Sequence, residues 1–208
     1  MRIMIPFIIL SALILTACSP TVPVVPSLPT NVPVEVFNEV EGGLIAEPIT
    51  DALKRVTKKP FGLKISSNDS PVDTERFSGY HTGVDFETFP EEQESDVSVY
   101  AICEGPVVLK RTATGYGGVL IQRCILEGED ITVLYGHLRL SSIPMELNEK
   151  LLKGQRIGIL GQGYSNETDG ERKHLHLGIH KGFSTVLLGY VQEPERLQEW
   201  IDPLTLLK

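Results

Sequence analysis

The second half of this chain is a succession of short apolar stretches separated by glycine-rich turns. From residue 97 onward the stretches are VSVYAI, GPVVLKRT, GGVLIQRCI, DITVLYGHL, QRIGILGQ and HLHLGIHK. Apolar runs of this length predict strands, and the GYGG string at 115–118 predicts a hairpin between two of them. Consecutive short strands with tight turns indicate antiparallel pairing. The sequence therefore predicts a mainly β domain, either an antiparallel barrel or two sheets, with short peripheral helices.

Two segments outside the strands predict those helices. Pro48 is followed by ITDALKRV, where the proline would occupy the first turn of a short helix that ends in KKPFG at 58–62. Near the C-terminus, EPERLQEWI predicts one or two amphipathic turns that pack Leu197 and Trp200 on the sheet.

Four of the five histidines lie in three short strings, HTGVD at 81–85, YGHL at 135–138 and HLH at 174–176. Neutral imidazole is the usual zinc ligand, and two histidines plus one carboxylate, with an open fourth position, form the ligand set of a hydrolytic zinc site. His81, Asp85 and His176 could supply that set. His137 and His174 would then lie beside the metal without binding it, where they could move the protons of a bound water.

The spacing of these residues has ordinary explanations as well. In KHLHLGIH the histidines alternate with apolar residues, which predicts a half-buried strand with both imidazoles on one face. A lone His-x-His of this kind is more often an ordinary pair, and a lone His-x-x-x-Asp is a weaker signal still. Joint occurrence with His137 is what favours a metal site. The fifth histidine, His180, is predicted to lie in a solvated loop.

The motifs occur in the order GYHTGVDF, VYAICEGPVV, GYGGVLI, LYGHL, KGQRIGILGQ and HLHLGIH. In this order they resemble the lysostaphin/LytM-type zinc metalloendopeptidases, which cut peptidoglycan peptides, over residues 60–206. The resemblance implies that His81, Asp85 and His176 bind one zinc ion per chain. It also implies that His137 and His174 are catalytic histidines that handle the water proton and steady the tetrahedral intermediate. The polar loop SNETDGERK and the insertion EEQESD depart from the family pattern, which leaves the substrate preference open.

The N-terminus predicts export. Arg2 precedes an apolar run over residues 3–15, which is too short for a comfortable transmembrane helix and typical of a signal-peptide core. The following LTAC at 15–18 resembles the bacterial lipobox, which implies cleavage before Cys18 and a diacylglycerol on its sulfur. The alternative is an ordinary secretory signal that contains a cysteine. In the lipobox interpretation the protein is anchored to the outer face of the cell membrane or to an outer membrane, and it acts in the cell wall or periplasm.

A proline-rich stretch follows the proposed anchor. Prolines recur at every third residue from Pro20 to Pro29, which matches the three-residue turn of polyproline II and predicts a semi-rigid or disordered tether. We therefore expect a signal peptide at 1–17, a lipid-anchored linker at 18–35 and a LytM-type metalloendopeptidase domain at 36–208, with its core at 60–206.

Cysteines and charge add further expectations. Cys103 and Cys124 flank the predicted hairpin, and in an exported protein such a pair suggests a disulfide, with zinc binding as the competing interpretation.

The formal net charge of −8 argues against a nucleic-acid partner, because binding a polyanion needs basic patches. The acidic cluster at 91–96 is predicted to be a solvated loop. We expect a monomer whose partners are peptidoglycan peptides and, through the lipid, a membrane.

Three classes of function are compatible with these features. The leading hypothesis is a zinc-dependent endopeptidase that hydrolyses cross-links or stem peptides of peptidoglycan through a metal-activated water. The second is a non-catalytic LytM-type protein that binds the wall or activates another hydrolase, but missing ligands would mark it and none is missing. The third is a carrier domain, because KGQRIGILG resembles a hairpin of biotinyl and lipoyl domains. A carrier domain needs a lysine displayed at a tight turn for modification, and Lys153 is not set in such a motif. The carrier hypothesis would also leave the histidines unexplained.

Overall fold

Antiparallel strands are the main regular elements of residues 43–208, the part of the protein that the computed structural model describes. The strands are β1 (Lys64–Ile65), β2 (Gly79–His81), β3 (Gly83–Glu87), β4 (Ser98–Tyr100), β5 (Gly105–Ala113), β6 (Gly117–Leu126), β7 (Glu129–Gly136), β8 (Lys150–Leu151), β9 (Arg156–Ile159), β10 (His174–Lys181), β11 (Tyr190–Val191) and β12 (Trp200–Ile201). Short 3-10 helices before, between and after the strands lie at Ala52–Arg55, Pro90–Glu92, Leu140–Ser142, Asn166–Thr168, Pro194–Glu199 and Pro203–Thr205.

The largest sheet has the strand order β12-β10-β7-β6-β5-β8, and β3 pairs with β10 beside this path. A three-stranded sheet has the order β1-β2-β11, and β4 pairs with β9. Every pairing is antiparallel. The prediction of a mainly β domain is confirmed, and the described strands form separate sheets instead of a closed barrel. The predicted hairpin at 115–118 is also confirmed, because it joins β5 to β6.

The core is built from one face of each central strand. Tyr135 of β7 is fully buried there, where its hydroxyl accepts a hydrogen bond from the Ile102 N–H at 2.9 Å and donates to Gln122 Oε1 at 3.1 Å. On β3 and β10 every second residue is apolar and belongs to this core, namely Val84, Phe86, Leu175, Leu177 and Ile179. Because side chains alternate along a strand, the residues between them point to the opposite face.

Cys103 and Cys124 are joined by a disulfide, with Cα atoms 6.2 Å apart. The bond links the segment just before β5 to β6, and neither sulfur is left as a thiolate that could bind zinc. Closing a loop of this length stabilises a fold by about 3 kcal/mol in the chain-entropy model.

Two details differ from the expectations drawn from sequence. The segment after Pro48 forms only the 3-10 turn Ala52–Arg55, preceded by Asp51 in a left-handed conformation with φ 58°. The prediction that His180 lies in a solvated loop is wrong. It lies in β10, opposite Trp200 of β12, and the two rings are 4.9 Å apart. β10 continues to Lys181 because it pairs with β7 on one edge and with β12 on the other, and His180 between them is only partly exposed.

The acidic cluster is largely the solvated loop that was predicted, since Glu91, Glu94 and Asp96 are exposed. Glu92 is the exception, because it forms an ion pair with the buried Arg55 at 2.6 Å.

Within residues 43–208 no helix is both long and apolar enough to cross a membrane. The expected signal peptide, the lipidation site Cys18 and the proline-rich linker lie outside the described residues.

Candidate metal centre

The pairing of β3 with β10 brings the first candidate residues together. In this register Asp85 lies opposite His176, and Glu87 lies opposite His174. On its other edge β10 pairs with β7, which places Gly136 opposite His176 and leads directly into His137. His81 ends β2, two residues before β3 begins. The strands β2, β3 and β7 therefore place their candidate residues beside those of β10, on the face of β10 that points away from the apolar core.

The three candidate ligands converge on one point. His81 Nε2 lies 3.1 Å from His176 Nδ1 and 3.3 Å from Asp85 Oδ1, and His176 Nδ1 lies 3.1 Å from Asp85 Oδ1. Zinc binds nitrogen and oxygen ligands at about 2.0–2.1 Å, so tetrahedral ligands lie about 3.3 Å apart. The three residues are buried and fit a zinc ion with a fourth position left open.

The surroundings fix which atom each histidine presents. His81 Nδ1 lies 3.1 Å from the Pro60 carbonyl oxygen. Because a carbonyl can only accept, Nδ1 carries the proton and Nε2 keeps its lone pair for a metal. His176 presents Nδ1, and its buried Nε2 has no hydrogen-bond partner among residues 43–208. A Cβ atom at Gly83 would lie 2.8 Å from this Nε2, so glycine at that position makes room for the ring.

Burial and charge set the protonation of these groups. Burial alone would raise the pKa of Asp85, but the neighbouring imidazoles, led by His174 and His81, hold it well below its ordinary value. Burial is the main cause that lowers the pKa of His176 to about 4. An ionised carboxylate and a neutral imidazole are the forms that bind zinc.

His137 and His174 form a second pair beside the candidate ligands, with ring centroids 4.2 Å apart. His174 Nδ1 donates to the Arg172 carbonyl oxygen at 2.9 Å, and its Nε2 lies 3.3 Å from Asp85 Oδ2. Burial lowers the pKa of His137 well below its ordinary value, and the neighbouring His174 lowers it further. Both histidines line a cleft of about 220 Å³ together with Asp85 and His176.

The structure adds two charged residues that the sequence analysis missed. The Arg172 guanidinium donates from Nη2 to Asp85 Oδ2 at 2.9 Å and from Nε to both carboxylate oxygens of Glu87. A signal for them existed, because Arg172 continues the two-residue alternation of His174 and His176, and Glu87 continues that of Asp85.

A buried ion pair supports the other wall of the cleft. Lys59 Nζ lies 2.6 Å from Glu75 Oε2 and 3.1 Å from the Tyr190 hydroxyl, and both side chains of the pair are 2% exposed. The Tyr190 ring lies 5.2 Å from the ring of His81. No local pattern joins Lys59 to Tyr190, because 131 residues separate them.

A second tyrosine, Tyr116, packs between His176 and His137. The Tyr116 ring lies 5.3 Å from the ring of His176 and 5.8 Å from that of His137. Its hydroxyl is buried and has no hydrogen-bond partner within the described residues.

Solved structures with a similar fold include the SpoIIQ–SpoIIIAH pore-forming complex. That match has 19% identity and a TM-score of 0.52, and it covers 80% of this chain and 92% of the other. The catalytic domain of lysostaphin from Staphylococcus simulans matches with 20% identity and a TM-score of 0.48, covering 74% of this chain and 92% of that domain. Helicobacter pylori Csd3 matches with 21% identity and a TM-score of 0.48 over 80% of this chain, but this chain spans only 35% of Csd3. At these identities the similarity concerns the fold alone.

A comparison with curated proteins found no match. The family model described as Peptidase family M23 matches residues 79–187, which is more than half of the chain and includes all five candidate residues of the cleft. The resemblance drawn from sequence is confirmed at this level: the chain belongs to peptidase family M23.

Proposed function

We propose that this protein is a zinc-dependent endopeptidase that hydrolyses peptide cross-links or stem peptides of bacterial peptidoglycan. The observation that carries the proposal is the convergence of His81 Nε2, Asp85 Oδ1 and His176 Nδ1 at 3.1–3.3 Å. A zinc ion held by these three residues would supply a water activated near neutral pH and a Lewis acid for the carbonyl of the bond to be cut. Membership in peptidase family M23 supports the same chemistry.

His137 and His174 would handle the proton on the cleft side of the ligands. Because His174 Nδ1 is committed to a backbone carbonyl, Nε2 is the atom that would take up a proton and pass it to the leaving amine. The neighbouring His137 ring would hold its own proton toward the developing oxyanion. Burial of both rings limits the access of bulk water to these transfers.

The test is digestion of purified peptidoglycan by the purified chain, followed by mass spectrometry of the released fragments. We expect new amine and carboxyl ends within the peptides, loss of cleavage after chelation, and recovery with added zinc. A protein that binds one zinc and binds muropeptides without cutting them would instead favour the non-catalytic wall-binding alternative.

We also propose that the protein is exported and held at a membrane by a lipid on Cys18. The support is the sequence LTAC at 15–18 after an apolar run, together with a wall-directed activity. Cys18→Ser removes the sulfur that would carry the lipid, so the variant should stall as a precursor or be released in soluble form. Membrane fractionation with a radiolabelled fatty acid measures this. A wild-type protein that carries no label would leave only the ordinary secreted alternative.

A further inference from the structure

Arg172 links the metal-binding carboxylate to a second buried carboxylate. Its guanidinium donates to Asp85 from Nη2 at 2.9 Å and to Glu87 from Nε at 2.9 and 3.1 Å. The side chains of Arg172 and Glu87 are about nine-tenths buried, and that of Asp85 is 3% exposed. A buried guanidinium with two carboxylate partners has few alternative geometries, since its donors form a planar, rigid fork.

The two oxygens of Asp85 have different surroundings. Oδ1 faces His81 Nε2 and His176 Nδ1, which are the other candidate ligand atoms. Oδ2 accepts the hydrogen bond from Arg172 and faces His174 Nε2 at 3.3 Å. One oxygen therefore points to the metal position while the other is held away from it by side chains.

We propose that Arg172 is a positioning residue that makes Asp85 a one-oxygen ligand, and that Glu87 holds Arg172 in place. This inference rests on the proposed zinc site. An Asp85 carboxylate that could turn freely would offer both oxygens to the ion and raise its coordination number. Held through Oδ2, it gives one ligand atom and preserves the four-coordinate arrangement with an open position that a hydrolytic zinc site needs.

If Arg172 acted through its charge alone, it would lower the affinity of the site for the metal. A guanidinium beside a divalent cation repels it, so a role limited to charge would make Arg172 weaken metal binding. Glu87 offsets that repulsion, because Arg172, Asp85 and Glu87 together carry one negative charge. The sign of the change in metal affinity after substitution therefore separates positioning from simple electrostatics.

The experiment compares Arg172→Met and Arg172→Lys with the wild type in the full chain. Lysine keeps the charge but loses the fork, so it tests the geometry at constant charge. Arg76→Met is the matched control, because Arg76 also bridges two acidic residues, Asp169 and Glu171, but contacts none of the candidate ligands. Zinc affinity is measured by chelator competition. Coordination is measured from the visible spectrum of the Co²⁺-substituted protein, which absorbs strongly when four-coordinate and weakly at higher coordination number.

We expect both Arg172 variants to bind zinc roughly 10–100-fold more weakly, as is typical when a partner of a metal ligand is removed. Their Co²⁺ spectra should lose intensity, and Arg76→Met should match the wild type in both measurements. Unchanged affinity and spectrum in the lysine variant, or tighter zinc binding in the methionine variant, would overturn the inference. If Arg172→Met does not fold, Arg172→Lys and Glu87→Gln carry the same spectroscopic test. A wild-type protein that binds no zinc would contradict the proposed function itself, which is a different result.

Discussion

Around the cleft, the two faces of β3 and β10 are both buried but chemically opposite. The core face carries apolar side chains that are inaccessible to solvent, and the opposite face, called the site face, carries Asp85, Glu87, His174 and His176, which are at most 9% exposed. Burying the first set stabilises the fold through the hydrophobic effect, whereas burying the second costs free energy unless each group is paired. Burial alone therefore does not distinguish core residues from site residues in this domain. The two sets are distinguished by whether alternate side chains on β3 and β10 are apolar or polar.

The largest effect should come from removing a ligand on the site face. His81→Ala, Asp85→Ala or His176→Ala each deletes one of three protein ligands, so zinc content and turnover should fall to background. Metal analysis of the purified variants measures this alongside peptidoglycan digestion. His180→Ala is the control, because that histidine lies further along β10 and packs on Trp200. Ligand variants that keep a full equivalent of zinc would show the assignment to be wrong.

The next effect separates proton handling from metal binding within the site face. His137→Ala and His174→Ala should keep zinc but lose activity by roughly 10²–10⁴-fold, the usual contribution of a general acid or base. Zinc content and the rate of cleavage are measured on the same samples. Zinc that is lost with His174 and kept with His176 would reverse the roles of the two residues.

On the core face the expected effect is on stability. Leu177→Ala removes a fully buried side chain next to His176 and should lower the free energy of unfolding by roughly 2–5 kcal/mol. The folded fraction should still bind one zinc. Denaturant unfolding of the metal-free protein measures the change, with Ile125→Ala as the control, because Ile125 is 68% exposed. A variant as stable as the wild type would contradict the division of labour between the two faces.

The smallest effect concerns the Lys59–Glu75 pair and appears only in acid. Burial opposes ionisation of Glu75, but hydrogen bonds from Lys59, Ser70 and the Phe77 N–H lower its pKa below the ordinary value of 4.5. A lowered pKa in the folded state means stability that is present above the unfolded pKa and is lost as the pH falls through the folded pKa.

The double variant Lys59→Met/Glu75→Gln removes both charges together. Near neutral pH its stability should be close to that of the wild type, because replacing a whole buried ion pair is often nearly neutral. Below about pH 4.5 it should lose less stability than the wild type does. Denaturant unfolding across this pH range measures the difference, and identical acid profiles would contradict a contribution from this pair.

Local patterns predicted six of the described strands, namely β4, β5, β6, β7, β9 and β10, and they singled out five residues that the structure brings together. Alternation places His174 and His176 on one strand face, and glycine marks the turns around His81. The order of strands in the sheet was not predictable, because β10 pairs with β3, β7 and β12, which lie far apart in the sequence. The prediction for His180 was wrong for the same reason, since the strands that pair with it, β7 and β12, come from distant parts of the sequence.

The charges around the site were harder to predict than its ligands. Arg172 and Glu87 continue the alternation of the strands, but charged residues at strand ends are usually solvated, so the pattern did not distinguish a buried pair. Lys59 and Tyr190 meet only in the folded chain. Residues that come from distant segments and pack beside a site produce no periodic pattern in a single sequence, so they cannot be predicted from it.

Gly83 has a consequence for tracing how such proteins lose their activity. A side chain at this position would meet the Leu177 carbonyl oxygen as well as the ring of His176. A single substitution there would displace His176 from the metal position. Every histidine and carboxylate of the three motifs would still be present in the sequence. Among descendants of an ancestral hydrolase, one that had become a scaffold could then keep all five histidine and aspartate residues of the site, and the loss would be visible only at this glycine.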